Sequence, residues 1–244
     1  MKRIMIHTWW MCLELVRQPS YFVATVAFPS LFYVIFAIPE SKSVLTSNNL
    51  LSSFSCFAVF GVLFLQFGVG VAQERSTSWY HYLRTLPLSS LHLTAARFIT
   101  AYIFSALSVL FLVLLAITYT KVSMTSSEWF FFFAFLILGG LPFCFMGLVL
   151  GYYSGIKTAL PLGNLIYLPL SFAGGLWKPP QLLPESLNQV SVYLPTRQYG
   201  EVIWNVTKSQ AVPSRAIYTL LIYLSISAVI AYIGAKRDYS KRYL

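Results

Sequence analysis

The stretch Gln73-Glu74-Arg75-Ser76-Thr77-Ser78-Trp79-Tyr80-His81-Tyr82-Leu83-Arg84-Thr85-Leu86-Pro87 is short, polar and rich in aromatic residues, and long apolar runs flank it at 50–72 and 95–119. A segment trapped in this way belongs at a membrane surface. Read as a helix, it sets Trp79, Tyr82, Leu83 and Leu86 on one face, with Glu74, Arg75, Ser78, His81 and Arg84 mostly around the other. Pro87 ends it, having no N–H for the helical ladder. Such a helix lies along the cytoplasmic face, its apolar side in the headgroup zone. Two readings fit the pattern: an interfacial anchor, or an element that carries a push from a soluble partner into the two spans it joins.

Working outward, 57% of the 244 residues are hydrophobic and 10% are charged, where a soluble domain carries about 25% charged residues. The chain is therefore expected to be an all-α polytopic membrane protein. It reads as a single membrane domain over 1–244, because no polar block is long enough to fold separately as an enzyme domain. Met1-Lys2-Arg3 resembles the basic start of a signal peptide. Glu14, Arg17 and Pro19 interrupt the apolar residues after it and no small-residue cleavage site appears, so the segment is expected to be retained. Cys12, Cys56 and Cys144 are an odd number without metal-pair spacing, which points to packing residues.

Six runs are long enough for a hydrocarbon core of about 30 Å, which takes about 17–25 helical residues: 21–38, 50–72, 95–119, 129–150, 159–177 and 216–235. Helix is the expected conformation, since backbone groups in lipid must be satisfied within the segment. Placing both termini inside puts 11 of the 17 basic residues on the cytoplasmic side and leaves Lys42, Lys121, Lys178, Arg197, Lys208 and Arg215 outside. The net charge of +10 is thus explained by topology and anionic lipid, and nucleic acid is not implied.

Residues 1–19 read as an amphipathic interfacial helix. Arg3, His7, Glu14 and Arg17 share one arc, and Trp9 and Trp10 suit the depth at which an indole buries its ring and keeps its N–H wet. At the other end of the chain, the 159–177 run contains Pro161, Gly163, Asn164, Pro169, Gly174 and Gly175, and amphipathic pieces come after it at 185–194 and 196–206. Residues 178–214 are therefore expected outside, dipping back into the outer leaflet as re-entrant helices. A kinked span with a surface loop behind it fits the same pattern.

Motifs for chemistry are missing from the sequence. Gly151-Tyr152-Tyr153-Ser154-Gly155-Ile156-Lys157-Thr158 fails the phosphate-loop pattern, with too few residues between its glycines and Ile156 separating Gly from Lys. The three histidines form no HExxH, and no GxSxG is present. No ionisable group is expected at mid-membrane, where proton-driven carriers place theirs. Gln66, Asn164 and Ser171 are the notable polar side chains within the runs. They suit interhelical hydrogen bonds, or the lining of a translocation path.

Several stretches together carry a resemblance. Arg17-Gln18-Pro19 leads into an apolar run with Pro29. Gln73-Glu74-Arg75 closes the second run, and Leu86-Pro87-Leu88-Ser89 comes about ten residues later. Gly174-Gly175-Leu176-Trp177 precedes Leu183-Pro184 and Leu194-Pro195. Over nearly its whole length the chain resembles the membrane (permease) subunits of bacterial ABC exporters of the short six-span, second type, a group that includes drug, antibiotic and polysaccharide exporters.

The resemblance implies that 73–90 is a coupling helix docking on a cytoplasmic ABC ATP-binding subunit through Gln73, Glu74, Arg75, Ser78, His81 and Arg84. It also implies ATP and Mg on that partner with no cofactor on this chain, a second permease subunit forming a homodimer, and a multi-pass place among the lipids of the bacterial plasma membrane. The chain departs from the family in having a basic second residue where an acidic pair is usual, and in lacking a glycine around 76–78. The sequence also admits a membrane receptor or assembly scaffold, or a secondary carrier.

Overall fold

The computed structural model describes residues 2–83 and 90–240, and the described chain is all-helical. In order come α1 (Lys2–Val16), α2 (Pro19–Ala37), α3 (Val44–Glu74), α4 (Ser78–Leu83), α5 (Ser90–Tyr119), α6 (Ser126–Tyr153), α7 (Ala159–Ala173), α8 (Glu185–Ser191), α9 (Pro195–Val206) and α10 (Ser214–Ser240). Five of these, α2, α3, α5, α6 and α10, are long and apolar enough to cross a membrane.

The run expected at 159–177 forms α7 instead. Its 15 residues reach about 22 Å at about 1.5 Å each, short of a core of about 30 Å. The stop is encoded locally. Gly175 adopts φ 78°, its N–H bonds to Phe172 O, and Leu176 N–H reaches back to Ser171 O, which together close a Schellman cap.

Hydroxyls from neighbouring helices reach backbone carbonyls inside two spans. Pro29 cannot donate to Thr25 O, and the Ser108 hydroxyl of α5 donates to that carbonyl instead at 2.8 Å. Around it α2 widens into π-helical turns at Val23–Ala27 and Tyr33–Ala37. In α6, which contains Pro142, the carbonyls of Leu136 and Ile137 accept from tyrosines of other helices, Tyr199 (2.8 Å) and Tyr102 (3.1 Å) respectively. Backbone acceptors inside the spans thus take hydroxyls from neighbouring helices, and at Thr25 the acceptor is one that proline has freed.

α3 is the centre of the bundle. It meets α6 where side chains vanish: a Cβ on Gly68 would stand 2.7 Å from Gly147 O, and one on Gly147 would stand 2.7 Å from Leu63 O. Small residues let backbones approach where hydrophobicity cannot drive helices together. At the far end Asn48 clamps the 120–125 loop, donating to Ser123 O (2.8 Å) and accepting from Ser123 N–H (3.1 Å). α9 is buried against α3, α6 and α10. Its Trp204 Nε1 donates to Ser53 Oγ at 2.8 Å, and Thr196 Oγ1 donates to Leu170 O at 2.6 Å.

Candidate functional site

The stretch between the second and third spans starts at the end of α3. Residues 73–77 turn the chain through Ser76 Oγ donating to Gln73 O (2.6 Å) and Thr77 Oγ1 donating to Glu74 O (2.7 Å). Thr77 Oγ1 also accepts from Tyr80 N–H at 3.2 Å, which starts α4. The helix expected as far as Pro87 is described for Ser78–Leu83. Arg84 and Leu86 lie outside the described residues, as do the side chains of Arg3, Trp79, His81 and Leu83.

The two charges read as an outward face turn inward. Glu74 Oε1 lies 2.7 Å from Arg97 Nη2, and the Arg97 side chain is 6% exposed. An acid at the C-terminus of α3 opposes the helix dipole, and the Arg97 guanidinium offsets that cost. Arg97 also lies over the Tyr80 ring, 5.7 Å from its centroid. Its Nε has no hydrogen-bond partner among the described residues. Arg97 stands near the start of the apolar helix His92–Tyr119, away from its middle.

Arg75 forms the second tie. Nε and Nη2 donate to Asp238 Oδ1 at 3.0 and 2.6 Å, and Nη1 donates to the carbonyls of Gly151 (2.6 Å) and Tyr152 (3.1 Å). Those carbonyls end α6, so the guanidinium satisfies orphan acceptors at the negative end of a helix. Tyr80 OH donates to Asp238 Oδ2 at 3.1 Å. One arginine thereby joins the end of α3, the end of α6 and the last turns of α10, and Tyr80 adds α4.

Of the other residues singled out in the sequence, Gln73 and Ser78 are exposed. On α1, Trp9 and Trp10 are exposed, Glu14 and Arg17 are exposed, His7 is half-buried, and the helix packs on α5. Gln66 lines a cleft of about 1200 Å³ between α1, the start of α2, the last turns of α3 and the start of α5. Asn164 and Ser171 do not line this cleft. Asn164 is half-buried on α7, and Ser171 is buried with its hydroxyl donating to Tyr167 O in its own helix.

Sequence reasoning missed Arg97, Asp238 and Tyr80. The available signal was an acid and a base at the facing ends of two spans joined by a short segment. Asp238 had no local signal, because its partner lies 163 residues away.

The described residues thus form a multi-pass helical bundle whose short inter-span segment is anchored to other spans by ion pairs. The family described as ABC-2 family transporter protein matches residues 20–235, and the chain belongs to that family. It is also 24% identical over 231 residues to a Bacillus subtilis (strain 168) protein that carries the provisional name transport permease YvfS, the match covering 91% of this chain and 94% of that protein. The chain is therefore a transmembrane transporter subunit, a transport rather than an enzymatic component, of a family that works with an ATP-binding subunit.

Proposed function

We propose that this chain is the membrane subunit of an ATP-driven exporter that moves an amphipathic cargo, drug-like, peptide or lipid-linked, out of the cell. In this reading α7 inserts as a short sixth membrane segment that does not by itself span the core, both termini are cytoplasmic, two copies form the pathway, and ATP and Mg act on the separate subunit. Segment 73–90 is the docking element. The observation that carries the reading is the double tie: Glu74–Arg97 and Arg75–Asp238 root the segment in α5, α6 and α10, so a push on it is delivered to three spans. Docking itself then falls to the exposed Gln73 and Ser78, and to His81 and Arg84 later in the same segment of the sequence, while Glu74 and Arg75 act as the base. α1, with Arg3, His7, Trp9, Trp10, Glu14 and Arg17, lies in the interface as a second contact. Gln66, Asn164 and Ser171 are candidates for the path.

The test is co-expression with an ATP-binding subunit. Ser78→Trp is expected to leave membrane levels unchanged and to weaken co-purification of that subunit at least about tenfold, equivalent to about 1.4 kcal/mol, with transport falling in step. A wild-type chain that retains no ATP-binding subunit, or that hydrolyses ATP alone, would overturn the reading.

A further inference from the structure

Gly70 sits inside α3, where a glycine costs about 1 kcal/mol relative to alanine. Such a glycine is usually explained by a close neighbour, as Gly68 is by Gly147 O two positions earlier. At Gly70 a Cβ would meet no described atom within 4 Å. The space that its missing side chain leaves belongs to the 1200 Å³ cleft, which Gly70 lines. That volume exceeds the roughly 300–1,000 Å³ of sites for drug-sized ligands. The walls are apolar, with Trp10, Leu13, Tyr21 and Phe67 among them. The charged lining is balanced, Glu14 and Glu74 against Arg17 and Arg97. Arg97 is nine-tenths buried, and its Nε lacks a partner among the described residues.

Either sign of simple ion would meet a like charge in this lining. A head that carries both signs would meet complementary ones. We propose that the cleft binds one zwitterionic phospholipid from the leaflet bordering α1. Its phosphate accepts from Arg97 and Arg17, its ammonium donates to Glu74 and Glu14, and an acyl chain lies over Gly70. The site requires only that the chain be embedded in a membrane and is independent of any ATP-binding partner. Its occupant fills the gap between α1 and α3, so the lipid acts as a wedge that sets the position of α1.

Native mass spectrometry of the detergent-solubilised full chain, titrated with phosphatidylethanolamine or phosphatidylglycerol, tests the site. The wild type is expected to hold one phosphatidylethanolamine in preference to phosphatidylglycerol. Gly70→Leu and Gly70→Phe should lower that occupancy at least tenfold with unfolding temperatures unchanged or raised, while Ile226→Phe, on the exposed face of α10, leaves occupancy intact. Equal retention by the Gly70 variants, a preference for phosphatidylglycerol, or no retained lipid would overturn the proposal. If neither Gly70 variant folds, phosphatidylethanolamine with a photoreactive acyl chain decides in wild-type nanodiscs: labelling of residues 67–71 and 10–13 supports the site, and labelling confined elsewhere overturns it.

Discussion

The helices α3 and α10 contain 18-residue stretches of matching apolarity, yet 83% of that stretch is buried within the chain in α3 and 22% in α10. Their minority composition separates them. α3 carries Ser47, Asn48, Ser52, Ser53 and Ser55, all buried, together with the glycine that lets α6 approach. Several find partners on other elements: Asn48 with Ser123, Ser52 with Thr207 at 3.2 Å, and Ser53 with Trp204. α10 exposes Tyr218, Leu221, Ile222, Ile226, Val229 and Tyr232, and its final turns are held by Asp238. In lipid, apolarity qualifies a helix to cross but does not sort inside from outside; small residues and interhelical hydrogen bonds do.

Four substitutions probe that contrast, in descending order of effect. Glu74→Ala should be the most damaging, since it takes from the buried Arg97 the one protein carboxylate paired with it among the described residues. About 3 kcal/mol of stability should be lost, read as a lower unfolding temperature and reduced yield, so any loss of partner binding in this variant is secondary to folding. An unfolding temperature equal to wild type would show that water or lipid satisfies Arg97 and that α3 is less closed than its burial indicates.

Gly147→Ala comes next. The added methyl meets Leu63 O at 2.7 Å, and overpacking against backbone costs about 1–3 kcal/mol. Unfolding in a graded denaturant should shift accordingly. Silence at this position would remove the close approach of α3 and α6 from the account.

The smallest effect compares one change on each side of the contrast. Trp204→Phe deletes the hydrogen bond to Ser53 inside the bundle and should cost about 1 kcal/mol. Ile226→Ala on the exposed side of α10, 54% accessible, should stay within about 0.5 kcal/mol. If Ile226→Ala proves the costlier of the two, that face of α10 is covered by a second copy of the chain and not by lipid.

Much of the architecture was legible because membrane insertion is a local property. Five of the six apolar runs became helices of spanning length, since about twenty apolar residues with no water to bond must be helical wherever they sit in the fold, and the N-terminal run became α1. The start of α3 was less legible: the helix begins at Val44, well before the apolar run. Its polar first turns are held by Asn48 gripping a loop 75 residues away. The irregularity of the 159–177 run was legible in Pro161, Pro169 and Gly174-Gly175, while the stop at Ala173 was set by the cap that Gly175 and Leu176 close.

The candidate site divides in the same way. The sequence determined that a polar, aromatic segment returns to the membrane surface between two spans, because an apolar–polar–apolar order permits little else. The tertiary structure alone decided which of its charges are available. Glu74 and Arg75 are adjacent in the chain, and each is drawn to a different helix, one to Arg97 and the other to Asp238. A charge at the end of a span takes whichever counter-charge helix packing brings within hydrogen-bonding reach, and that packing is set by Gly68 against Gly147 and by the carbonyl freed at Pro29, through contacts between residues far apart in the chain.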